Sequence, residues 1–281
     1  MNVSIQDTYN LVWKLGAVIT GRADPIILKT YDTEQHPVTK DLMRLDSQLM
    51  KAYEKEETST SSGIDDVREQ YAGLMAGVEV TYSHNALIAE EGKCSYPRLA
   101  KNIKPGMRIP SFPVVYQCDG SSTHLARRLV SDGLWRLLVF SGDLRQPEKK
   151  NALFSFADTF SKRSHLVSLP STQALRRLHP TIEPLLIQSN PRTTVNLLDL
   201  PEIFHPFDDA LGWDYWKVFA DDGSYDEESG QAYKGYGIGE RGLGCLVLCH
   251  PDQHVAWIGS MQDVDGLYDY ISGFLSTPKY R

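Results

Sequence analysis

Cysteine is scarce. Cys94, Cys118, Cys245 and Cys249 are the only four in 281 residues, too few for the disulfide scaffold of a small secreted domain. No apolar run approaches the roughly 18–20 residues of a membrane span. The first residues lack a basic-then-apolar signal peptide, since Asp7 comes early and polar residues interrupt. Positive charge is short as well. Lys and Arg number 29 against 36 Asp and Glu, a net charge of −7, which argues against the basic face of a general nucleic-acid binder. These absences predict a cytoplasmic protein with reduced thiols and neither a membrane nor a nucleic-acid partner. What is present is a globular composition, 41% hydrophobic and 23% charged. The length accommodates one large domain or two of ordinary size.

The order of elements follows from periodicity. Residues 4–19 carry apolar positions at 5, 8/9, 11/12, 15 and 18/19, which is helical spacing. Pro25 suits the first turn of a second helix, which Pro37 should kink or restart. Residues 54–66 are acidic and Ser/Thr-rich and read as a surface loop. A third helix with Val67, Tyr71, Leu74 and Met75 on one side follows, then an alternating strand-like run at 77–82 and a polar loop at 82–85.

Residues 104–143 read as strand, short helix and buried strand, with turns at Asp119-Gly120 and Asp132-Gly133. A helix is predicted through Leu153, Phe156 and Phe160, and apolar strands or edges at 184–187, 194–198 and 215–219. A short helix is expected from 225 to 237. The end is the clearest: strand 245–249, turn, strand 254–259, and a helix over 264–275. The fold class is α/β, α+β overall, with residues 1–103 mostly helical and 104–281 an α/β domain.

Three stretches carry a family resemblance. NVSIQDTYNLVWKLGAVITGRADPIILKTYDTEQHPV, PGMRIPSFPVV followed by DGLWRLLVFSGD, and GYGIGERGLGCLVLCHPDQHVAWIG together resemble the flavin-dependent aromatic hydroxylases of the phenol 2-monooxygenase group. The resemblance implies a helical remnant of the FAD and substrate domain over 1–103. Over 104–281 it implies a thioredoxin-like C-terminal domain associated with dimerisation, hence a homodimer. It also implies a small aromatic or phenolic ligand.

The departures are as informative. The family's opening βαβ unit with its pyrophosphate-holding G-x-G-x-x-G turn is not found here, the early glycines being Gly16, Gly21 and Gly63. The expectation is therefore a truncated flavoprotein with no cofactor of its own, FAD entering only if a partner supplies the missing domain. A C-x-x-C is absent too. Cys245 and Cys249 are four apart, on one face of a strand, so no dithiol chemistry is expected.

For the site, Tyr82 and His84 are the candidate catalytic pair, placed for proton transfer at a domain junction. Asp7 and Asn10 read as capping and packing. His36 reads as surface, and His124, His165, His179 and His205 as structural. His250 and His254 have metal-like spacing, but Pro251 interrupts it and no carboxylate partner is evident, so no metal is expected. Three functions stay open: a non-redox enzyme acting on a phenolic or polyketide aromatic, an accessory or C-terminal half subunit of a monooxygenase, and an inactive paralogue. A closed pocket lined by Tyr and His favours the first. A large exposed apolar face favours the second.

Overall fold

The computed structural model describes residues 2–56, 62–90, 98–163, 181–223, 230–239 and 242–275. Cys94, His165, His179 and the expected helix start at 225–228 lie outside them. The helical part opens with α1 (Asn2–Ile19). Asp24 then caps a short 3-10 turn at Pro25–Lys29, its carboxylate accepting from the Ile26 amide. The long α2 (Thr30–Glu56) follows, then α3 (Ser62–Gln70) and α4 (Ala72–Ala76).

Three local expectations change here. α2 runs through Pro37 without restarting. Glu34, Gln35 and Val38 around it are buried, and those anchors offset the missing backbone bond. Residues 62–66 are helical rather than loop. The run at 77–82 is not a strand; Thr81 makes one isolated bridge to Met107.

The rest is built on a seven-stranded mixed sheet. In chain order come β1 (Pro113–Tyr116), β2 (Ser122–His124), α5 (Leu125–Arg128), β3 (Trp135–Gly142) and α6 (Pro147–Lys162). Next are β4 (Ile182–Gln188), the small pair β5 (Phe207–Asp208) and β6 (Gly212–Trp213), and β7 (Val218–Ala220). Last come α7 (Ala232–Tyr236), β8 (Cys245–Cys249), β9 (Val255–Ser260) and α8 (Val264–Ser272). The large sheet runs β2-β1-β7-β4-β3-β8-β9. β4 lies parallel to both β3 and β7, whereas β8 is antiparallel to β3 and β9 to β8.

The β-α-β unit is therefore β3–α6–β4, not the stretch before it. β1 and β2 form an antiparallel hairpin instead. Asp119 accepts from the Ser121 amide and hydroxyl, and Gly120 takes a positive φ of 75°, which closes a tight turn. Residues 194–198 form no strand: 3-10 turns at Arg192–Thr194 and Leu197–Asp199 flank an extended Val195 and Asn196.

All eight residues of β3 are buried, as a strand covered on both faces requires. Its side chains alternate. Leu137 and Val139 join a core with α6, α8 and Trp13 of α1, while Leu138 and Phe140 join the opposite face with Tyr233 and Tyr236. Cys245 and Cys249 share that second face, and burial pushes the Cys245 thiol up to about 12. Each such apolar side chain contributes about 1.5–3 kcal/mol when fully buried. Among the described residues no helix is long and apolar enough to cross a membrane.

Candidate functional site at the helix–sheet seam

α1 has three faces. Trp13, with Tyr9, Ala17 and Val18, packs into the sheet core, the i, i+4 spacing of a buried ridge. Asn10 and Lys14, also i, i+4, are completely buried against α2. The third face is apolar and open, and Ile19 is 81% exposed. The apolar positions 5, 12, 15 and 19 of the predicted stripe are on the uncovered side. Ser4, Ile5, Thr8, Tyr9 and Val12 line an open groove of about 510 Å³ there, and Leu42, Met43, Leu45, Asp46 and Leu49 of α2 line another of about 430 Å³.

The buried polar face holds the densest chemistry in the described residues. Lys14 Nζ pairs with Glu34 Oε2 at 2.5 Å and donates to Asn10 Oδ1 at 2.9 Å. Asn10 Nδ2 donates to Glu34 Oε2 and to Asp252 Oδ2, both at 2.8 Å. Asn85 Nδ2 donates to Glu34 Oε1 at 3.0 Å. Burial lowers the Lys14 pKa, against the raising influence of Glu34.

Asp252 lies in the β8–β9 turn and ties this network to the sheet. His250 Nδ1 and His254 Nδ1 approach its Oδ1 at 3.5 and 3.3 Å. Burial alone would raise the Asp252 carboxyl. The flanking His254 and His250 outweigh it and hold the group well below the ordinary carboxylate range. A carboxylate partner for these histidines thus exists, contrary to the sequence expectation. The turn is held in shape by Gln253 at φ 68°, which donates to Leu129 O and accepts from Arg108. Such a φ is uncommon outside glycine.

Tyr82 belongs to the same seam. Its ring stacks on His254 at 3.9 Å and 19°, and its hydroxyl accepts from Gln35 Nε2 at 3.1 Å. Gly106 makes room for it: a Cβ there would sit 2.0 Å from the Tyr82 carbonyl oxygen. Burial, then the Asp252 and Glu34 carboxylates, push the Tyr82 hydroxyl above its usual range. His84 sits elsewhere. It is exposed, and its Nδ1 meets the Ile88 carbonyl at 2.7 Å. The two side chains thus have different partners, and neither lines the two open grooves.

Of the other candidates, Asp7 accepts from the Tyr31 hydroxyl at 2.8 Å, and buried His205 donates to Leu200 O. Lys14, Glu34, Asn85 and Asp252 escaped selection. Their signal was weak: an i, i+4 polar pair on an otherwise apolar helix, and an aspartate between two histidines.

Helices on both faces of a mixed sheet, with a buried ion network sealing α1 and α2 to it, define an α/β module with a second element docked on it. Residues 80–279 match the family model described as phenol hydroxylase, C-terminal dimerisation domain, and residues 1–46 match that of an FAD binding domain. The chain belongs to the phenol hydroxylase family. It is 33% identical over 283 residues to the phenol 2-monooxygenase fsqG of Aspergillus fumigatus, covering 99% of this chain and 45% of that protein. It is 32% identical over 286 residues to the 3-hydroxybenzoate 4-monooxygenase of Comamonas testosteroni, covering 98% and 43%. The chain thus spans a little under half of each relative. In fold it is similar to the flavin-dependent monooxygenase PieE in complex with FAD and substrate, at TM-score 0.51 and 16% identity, over 96% of this chain and 43% of that one.

The expectation of no cofactor is overturned by the match of α1 and the first part of α2 to the FAD binding domain. That expectation rested on the missing glycine-rich turn, which holds only the pyrophosphate and so speaks for one part of a flavin site. The residues present do not by themselves fit the whole group, because the sequence has no strand–G-x-G-x-x-G–helix unit.

Proposed function

We propose that this chain supplies the C-terminal portion of an FAD-dependent aromatic monooxygenase. The single observation that carries this reading is the open apolar face of α1, beside a face locked into the sheet. A helix in the FAD-matching segment that is sealed on one side and bare on the other calls for further flavin-domain structure to cover it. A phenolic substrate class is inferred from the relatives' names alone. We read β3–α6–β4 with β8–β9–α8 as thioredoxin-like, on strand order.

The test is to isolate the native species containing this sequence and record its mass and visible spectrum with added FAD. A flavin band co-eluting with a longer polypeptide, or with a two-chain complex, is the expected result. A native 281-residue species that stays colourless with FAD sinks the reading.

The non-redox alternative draws on Tyr82's place in the buried seam and needs His84 to reach the same substrate. Because His84 is exposed, His84→Ala should change stability by less than about 0.5 kcal/mol and leave turnover by the complete enzyme unaltered. A fall of about 10²–10⁴ in turnover would reinstate the Tyr82–His84 mechanism.

A further inference from the structure

The proton count of the buried seam turns on His250. Its Nε2 lies 2.6 Å from the Leu87 carbonyl oxygen, which also accepts from the Tyr270 hydroxyl at 2.6 Å. A carbonyl oxygen only accepts, so Nε2 carries a hydrogen. On the other side of the ring Nδ1 faces Asp252 Oδ1 at 3.5 Å, within reach of an ion pair. A lone pair on Nδ1 would point at a carboxylate oxygen and be repelled, whereas a second hydrogen there makes the contact attractive. His254 differs. Its Nδ1 lies 3.2 Å from the Asp252 carbonyl oxygen and 3.3 Å from Oδ1, so one hydrogen serves both. Its Nε2 is buried with no partner among the described residues, and a proton there would be an unsatisfied donor.

The charges around His250 call for the same proton. Lys14 of α1 and Glu34 of α2 pair with each other. Asp252 is a second buried carboxylate, and Asn10 Nδ2 joins it to Glu34. Two carboxylates against one ammonium leave a net negative charge out of water, which is costly. On β3, Arg136 is taken up by Asp132 and Glu183. Tyr9, Tyr82 and Cys249 all feel the Asp252 charge, but burial pushes each of them up and keeps it neutral. Among the described residues His250 is the group left to balance Asp252. It also lies against the rings of Trp13 and Trp135, at 5.8 and 4.8 Å, an aromatic setting that favours a cation.

We propose that His250 is a buried imidazolium, protonated on both nitrogens through neutral pH, and that this second proton latches the first two helices onto the sheet. Asp252, which it balances, is the sheet residue that Asn10 of α1 grips. Loss of the proton at alkaline pH leaves that carboxylate without a counter-charge and loosens the seam. The folded contacts favour the protonated ring. The stabilisation is therefore complete below the unfolded histidine value of about 6.5 and disappears as pH rises past neutrality. None of these contacts depends on the flavin reading.

Nitrogen NMR of the imidazole rings at about pH 7 should show both His250 nitrogens protonated and one bare nitrogen on His254. A bare nitrogen on His250 overturns the proposal. His250→Gln keeps an N–H donor but no charge. It should raise the unfolding equilibrium constant at least about 30-fold at about pH 6, and that difference should shrink at least about 10-fold by about pH 9. A difference that stays constant across this range also overturns the latch. Lys14 is a second source of alkaline loss, since burial lowers its pKa, and Asp252→Asn separates the two. In that variant the alkaline loss should vanish; its persistence assigns it to Lys14 and refutes the latch. If His250→Gln fails to fold, the wild-type ring spectrum and the Asp252→Asn comparison decide alone.

Discussion

Replacing Lys14 with Met is expected to destabilise the protein by about 3–5 kcal/mol, and Glu34→Leu to do the same, while the double variant recovers most of the loss. The reason is asymmetric desolvation. Lys14 and Glu34 are fully out of water, so each has lost its hydration and depends on the other. Removing one leaves a buried charge unpaired. Removing both leaves no unpaired member of the pair between α1 and α2, and the new apolar groups lie beside Trp13, whose ring is 5.6 Å from Lys14 Nζ. Denaturant titration of the four proteins in a double-mutant cycle measures the coupling. Additive single effects would show that the pair is not a unit, and the network account of the seam would fall.

Asp252→Asn should cost about 2–4 kcal/mol at pH 7, because it discharges the group that faces His250, His254 and Asn10 together. The pH dependence gives the sharper signature. The folded-state pKa of Asp252 lies well below its ordinary value. Its contribution is therefore fully present above the unfolded carboxyl pKa of about 3.9 and is lost as pH falls below that toward the folded value. The stability gap between wild type and Asp252→Asn should hold from about pH 7 to pH 5 and narrow below about pH 4. A gap that stays constant down to pH 3 would mean the aspartate is not held by its flanking imidazoles.

The contrast between these two sites and the strands explains what could be read in advance. Trp135–Gly142, Cys245–Cys249 and Val255–Ser260 were legible because continuous apolar runs bounded by turns leave little choice but buried strands, and α8 because its apolar positions recur with helical period. The first helix was legible as a helix but not in orientation. Its apolar residues fall on two sides, and only contact with β3 and the β8–β9 turn decides that Trp13 faces in while Ile5, Val12 and Ile19 face out. The topology of 104–143 was misjudged for a similar reason. Strand, short helix and strand is a local pattern, whereas the pairing of β1 with β7 joins residues about a hundred positions apart.

The candidate site was the least legible part. Tyr82 sits in the seam, but its companions are Asn10, Gln35 and His254 rather than His84, and the carboxylate closing the network comes 242 positions after Asn10. By itself the sequence determined composition class, strand and helix segments and family, because hydrophobic period and turn chemistry act over a few residues. Only the tertiary structure decided which polar side chains are buried together and which apolar faces stay bare. Burial is a property of what packs opposite a residue, and nothing in the local sequence records it.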